Sequence, residues 1–126
     1  MLSVTETDER FYVGPSTVAG ASEGLFAGVP LASGDRLRVV GVLVASHSVS
    51  DRCTNYADPY KLRVGDDLLI PVGWGAKVNH RDEANVQKVV EDGELYLETL
   101  RPIAQDEEIF LRYHEYATSR FGLMSP

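Results

Sequence analysis

The chain has 126 residues, enough for one domain with a buried core that needs neither disulfides nor metals. It is 44% hydrophobic and 25% charged, and its 19 acidic against 12 basic residues leave a net charge of −7. That balance argues against a phosphate backbone or an anionic membrane as main partner and favours a basic, Lys/Arg-rich peptide, unless the charge serves solubility alone.

Cys53 is the single cysteine, so an internal disulfide framework and a thiolate zinc site are excluded, and a reducing compartment is consistent. Glu6, Asp8 and Glu9 replace the basic-then-apolar pattern of a signal peptide, so secretion is not expected. The longest stretch without a charged residue, Val39 to Ser50, falls short of the about 20 residues a membrane helix needs.

Strand-like runs follow one another at Phe11–Val13, Gly24–Ala27, Leu37–Val44, Asp67–Val72, Asn85–Val90, Glu94–Leu100 and Glu108–Tyr113. Turn signals at Ala32–Asp35, Gly65–Asp66, Glu91–Gly93 and Ala104–Asp106 separate them, which predicts a small, mostly antiparallel β fold. Asp82 to Glu91 is ambiguous. Asp82 as cap, Val86, Val89 and Val90 on one face and Gly93 as stop would make a helix; hairpin pairing with Glu94–Leu100 would make a strand. In the last run Ile109, Leu111 and Tyr113 share one face, with Glu108 and Arg112 on the other. Tyr113 therefore points inward, where its hydroxyl needs a polar partner.

Gly20–Gly24 lacks the helical pattern a dinucleotide fingerprint requires, and His47, His80 and His114 are not spaced as metal ligands. Five local features do recur in order. They are Ala21-Ser22-Glu23-Gly24-Leu25-Phe26-Ala27, Gly73-Trp74-Gly75-Ala76-Lys77-Val78-Asn79-His80, Asn85, Leu100-Arg101-Pro102-Ile103, and Asp106-Glu107-Glu108-Ile109 closed by Tyr113. Each alone is weak, but the ordered set, from about Phe11 to Tyr116, resembles the SET-domain protein lysine methyltransferases.

The resemblance implies a SET fold: small curved sheets of β-clip type with a C-terminal segment threaded under a loop. It implies a single domain over residues 1–126 with its core at 11–116. No pre-SET segment and no Cys-rich, zinc-binding post-SET segment is visible, as in compact viral or bacterial SET proteins. The implied activity is S-adenosyl-L-methionine-dependent N-methylation of lysine in a basic tail, of which histone-like tails are one kind. Glu23, Gly24, Leu25, Asn79 and His80 match positions that contact that cofactor. Gly24 would let the backbone approach it, the Asn79 side chain would hold its amino group, and the His80 backbone would meet its adenine.

Tyr113 matches the tyrosine that closes the family's Glu-Glu-hydrophobic pattern and is the expected catalytic residue. Tyr60 is proposed as a second channel tyrosine, with Tyr116 and Trp74 as further channel wall and Tyr56 as a weaker choice. Asn85 matches a bracing asparagine. The chain departs from the pattern at Arg81, Ala84 and Val40, where Ser, Pro and Tyr are usual; Val40 leaves the channel wall incomplete unless Tyr60 serves. A catalytically weak SET-like module that binds a basic peptide, or a plain structural β-domain, remain as alternatives. The expected setting is the cytoplasm, or a host nucleus if the source is viral, as a monomer or homodimer without nucleic acid, membrane or metal.

Overall fold

A computed structural model describes residues 3–113. Among these, ten strands form three small sheets, accompanied by one short α-helix and two 3-10 turns. Three strands set the frame. β1 (Phe11–Pro15) and β2 (Glu23–Ala27) pair antiparallel, with Val13 opposite Leu25 and Gly14 opposite Gly24. β3 (Arg36–Arg38) opens the second sheet.

The expected single strand Leu37–Val44 divides in two. After β3 the chain crosses to a third sheet and resumes as β4 (Gly41–Ala45). Val39 N–H still donates to Leu95 O at 2.9 Å, whereas the Val40 carbonyl already accepts from Val72 N at 2.9 Å. The crossing is close enough that a Cβ on Gly41 would overlap the Ile70 carbonyl. The apolar run continues through it, so hydrophobicity alone carries no sign of the break.

The next segment forms α1 (Val49–Cys53), capped where the Ser48 side chain accepts from Asp51 N, and a 3-10 turn at Asn55–Tyr60. Neither is expected from the strand pattern. Lys61 explains why these short turns hold. It is buried, and its Nζ donates to Asp51 Oδ1 (2.6 Å), the Asp51 carbonyl (2.9 Å) and Asp58 Oδ1 (2.8 Å). The two carboxylates outweigh the cost of burial and hold this ammonium above its usual pKa. β5 (Leu62–Val64) and β6 (Asp67–Pro71) follow as a hairpin, and β4, β6 and β5 make the third sheet in that order.

A 3-10 turn at Trp74–Lys77 leads into β7 (Asn79–His80). The ambiguous Asp82–Glu91 stretch resolves as a strand, β8 (Val86–Glu91), paired with β9 (Glu94–Thr99). Its turn decides the matter. Asp92 and Gly93 take φ of 52° and 77°, the left-handed pair of a two-residue hairpin. Leu95, Leu97 and Thr99 are buried on alternate positions of β9, as the period of two requires.

β10 (Phe110–Leu111) is the short centre of the expected Glu108–Tyr113 strand. It lies between β8 and β7 and runs parallel to both. Residues 108–111 are all buried, Glu108 because Ser16, Thr17 and Asn79 close over its carboxylate, so the expected polar face remains only at exposed Arg112. Asn85 is buried and braces this crossing: Oδ1 accepts from Phe110 N at 2.8 Å and Nδ2 donates to Glu108 O at 2.8 Å. The core gathers Leu25, Leu97, Ile103 and Ile109 where the sheets meet.

Candidate active site

Three consecutive residues organise the site. Val78, Asn79 and His80 are extended, so neighbouring side chains leave opposite faces. Val78 is buried and lines a cavity of about 350 Å³. Asn79 turns towards β2: its Nδ2 donates to Glu23 O (2.9 Å), Ser16 Oγ (3.1 Å) and Glu108 Oε2 (3.2 Å). Those bonds occupy the amide nitrogen and leave Oδ1 outside the set.

Glu108 anchors the Asn79 face. It is 4% exposed and accepts from Thr17 N (2.8 Å), Thr17 Oγ1 (2.6 Å) and Ser16 Oγ (2.8 Å) besides Asn79. Burial pushes its pKa up, but the bonds from Thr17, Ser16 and Asn79 outweigh burial and hold it below the usual value. A carboxylate whose pKa is lowered by folding adds stability above its unfolded pKa, about 4.3, and loses it as pH falls through the folded value. Glu108→Gln is therefore expected to lower stability at neutral pH and to flatten the loss on acidification. Urea midpoints measured from about pH 7 to pH 3 check this; parallel wild-type and variant curves would contradict it.

Gly24 has a packing reason to be glycine that is independent of any ligand. A Cβ there would overlap Glu108 Oε2, lie 2.9 Å from Glu108 Cδ and 3.2 Å from Asn79 Nδ2. The space opposite Gly24 belongs to the Glu108 carboxylate. Gly24→Ala is expected to destabilise the fold by about 2–4 kcal/mol, combining overpacking with disruption of a buried bonded carboxylate. A melting temperature within a degree or so of wild type would contradict it. Leu25 is likewise fully buried, and its carbonyl accepts from Ile109 N at 2.8 Å. The open polar groups at this corner are Glu23 and Lys77, an exposed ion pair at 2.8 Å. Lys77 was missed by motif reading; its place two residues before Asn79 was the available signal.

On the other face stands Tyr113. Its hydroxyl donates to the Val78 carbonyl at 2.9 Å, and its backbone N–H donates to His80 Nδ1 at 2.9 Å. The His80 and Tyr113 rings sit 5.0 Å apart. Burial first, then the neighbouring Tyr60, push the Tyr113 pKa up to about 12. The hydroxyl therefore keeps its proton at neutral pH: it can donate and accept hydrogen bonds but cannot serve as a base. The imidazole accepts at Nδ1, which places its proton on Nε2, facing Asp82 Oδ1 at 3.7 Å. Both atoms are buried without a hydrogen-bond partner.

Tyr60 and Tyr113 both line the cavity, with an apolar wall that includes Leu62, Leu68 and Leu111. Tyr60 stands at 55% exposure as the last residue of the 3-10 turn, next to Lys61. Trp74 does not line the cavity. Its indole N–H donates to Asp8 O at 2.7 Å and its backbone N to Glu6 Oε1 at 2.8 Å, so the ring is tied to the N-terminal segment. Tyr56 is exposed at 77% and also lies off the cavity, and Val40 packs beside Gly73. Tyr116 lies outside the described residues. Among the described residues no group of His, Cys, Asp and Glu is arranged for a metal ion, and no helix is long and apolar enough to cross a membrane.

A family model described as the SET domain matches residues 22–114. A Plasmodium falciparum structure assigned as a histone methyltransferase shares 17% identity over 86% of this chain and 96% of its own, with a TM-score of 0.67. Chaetomium thermophilum Polycomb Repressive Complex 2, autoinhibited and bound to S-adenosylmethionine, shares 15% identity over 92% of this chain, with a TM-score of 0.73. Another structure of that complex shares 17% identity over 83% of this chain at a TM-score of 0.72. The match covers only 17% and 15% of those two chains. At these identities the likeness is one of fold. No curated protein matches the sequence.

Proposed function

The chain belongs to the SET-domain family, and from that premise we propose that it is an S-adenosylmethionine-dependent protein-lysine N-methyltransferase acting on a basic tail. The observation that carries this reading is the placement of the Tyr113 hydroxyl. It sits 2.9 Å from the Val78 carbonyl at the cavity wall, on a strand whose next residue, Asn79, faces the opposite corner. A lysine side chain entering the cavity would bring its amine to that hydroxyl, and the Asn79 corner, one residue on along the chain, holds the polar groups that a methyl donor needs.

The residues at the corner fit the amino-acid end of such a cofactor. Asn79 Oδ1 and the Glu23 carboxylate can accept from its ammonium, and the Lys77 ammonium can meet its carboxylate. When bound, S-adenosylmethionine supplies an electrophilic methyl group. The remaining work falls to the protein.

A lysine amine, with an ordinary pKa of about 10.4, must give its proton to bulk water before its lone pair can attack. The apolar wall of the cavity favours the neutral amine by desolvating the ammonium. Tyr113, protonated and fixed at both its hydroxyl and its backbone N–H, can accept a hydrogen bond from that amine and aim it. The Val78 carbonyl is a second acceptor at the same place. Positioning and electrostatics carry the rate, without a side-chain base.

A negative net charge supports a basic substrate through steering. Incubation with cofactor and a panel of basic proteins, read by mass spectrometry, tests the reading. Methyl increments on lysine are expected, and a panel left unmodified by a chain that binds the cofactor would favour the alternative of a peptide-binding module.

A further inference from the structure

The cavity walled by Tyr60 and Tyr113 carries charge opposite in sign to the chain. The protein is at −7, yet four of the five charged residues lining the cavity are cations: Lys61, Arg63, Lys88 and Arg112, with Asp82 the lone carboxylate. Lys61 is held by Asp51 and Asp58, and Arg112 Nε lies 3.9 Å from Asp82 Oδ1.

Lys88 stands apart. It is half-buried on β8, two residues after Val86 and therefore on the face that lines the cavity. Its ammonium donates to the Arg63 carbonyl at 2.7 Å, and no carboxylate among the described residues pairs with it. Burial first, and the nearby Arg63 charge second, lower its pKa. A cation kept partly desolvated beside another cation is costly unless an anion completes it. The Arg63 carbonyl meets one of its three donors and fixes the direction of the rest.

We propose that Lys88 is a specificity subsite that takes a substrate carboxylate, an Asp or Glu close in sequence to the target lysine. The inference rests on the reading of this cavity as the lysine site. It refines the substrate class that net charge suggests. The −7 field acts over about a Debye length and draws in basic proteins, whereas Lys88 acts at contact and disfavours a further Lys or Arg beside the target. The preferred sequence is then a lysine with an acidic neighbour inside an otherwise basic segment.

Fluorescence anisotropy of labelled peptides built around one target lysine tests it. Each peptide carries Glu, Gln or Lys at one of the two positions on either side of the lysine. At one such position Glu is expected to bind wild type about fivefold tighter than Gln, the scale of one close charge pair. In Lys88→Met that gap should close, and in Lys88→Glu the preference should pass to the Lys peptide, with thermal melts confirming that both variants fold. No Glu preference at any position of the wild-type series, or a preference that persists in Lys88→Met, would overturn the inference; the wild-type series stands even if a variant fails to fold. Anisotropy reads binding alone, so the two readings fail separately. A Lys88-dependent Glu preference without methyl transfer would sink the proposed activity and sustain the subsite. Methyl transfer with no Glu preference would do the reverse.

Discussion

Tyr113→Phe is expected to slow methyl transfer by roughly tenfold to a thousandfold, the range for removing one oriented polar group from a site. Cofactor affinity should move by less than about twofold, because the Asn79 corner lies across the strand and does not touch the hydroxyl. The ring remains, so the half-buried packing around it is kept. The variant loses the bond to the Val78 carbonyl and with it the group that aims the amine. A Tyr113→Phe protein with wild-type turnover would mean that the hydroxyl only satisfies that carbonyl, and the catalytic role would pass to Tyr60. Tyr60→Phe, on the exposed side of the cavity, is expected to cost less in rate and to shift the number of methyl groups added, since a missing hydroxyl leaves room for a bulkier amine.

Asn79→Ala should weaken cofactor binding by roughly tenfold to a hundredfold, the scale of hydrogen bonds to a charged group. The loss has two sources. The Oδ1 acceptor disappears, and the Nδ2 bonds that tie β7 to Glu23, Ser16 and Glu108 go with it. Glu108 keeps Thr17 and Ser16 as donors, so the fold should survive with a lowered melting temperature. Calorimetry with the demethylated cofactor separates the two sources. If affinity is unchanged while the melting temperature falls, Asn79 is structural and the cofactor corner must be placed elsewhere.

Much of this architecture was legible where local chemistry and tertiary position agree. The β9 half of the β8–β9 hairpin is legible in Glu91-Asp92-Gly93 and the alternation of Leu95 and Leu97, whereas β8 reads equally as helix or strand until its pairing with β9 decides it. The family resemblance marks Asn85 as a brace, and it bridges Phe110 and Glu108. The inward aim of Tyr113 and its need for a polar partner followed from the period of two, and the Val78 carbonyl is that partner. Other features had no local signal. The passage between sheets at Val39–Val40 lies in an unbroken apolar run, and its mark is the fit of Gly41 against the Ile70 carbonyl. Glu108 looks like a surface residue of an alternating strand, because nothing nearby says that Ser16, Thr17 and Asn79, distant in sequence, will close over it. Gly24 was legible as a close-approach glycine, but the approaching group is that same Glu108. Lys61 and Trp74 are settled by partners distant in sequence or in an unexpected turn, Asp51 and Asp58 for one and Glu6 and Asp8 for the other.

The most direct measurement is transfer of an isotopically labelled methyl group from S-adenosylmethionine to a basic peptide with one lysine, alongside the same peptide with arginine in its place. Label on the lysine Nζ, absent from the arginine peptide and strongly reduced with Tyr113→Phe, is the expected result. No label on lysine from a chain that calorimetry finds loaded with cofactor would contradict the assignment of this cavity as a lysine methylation site.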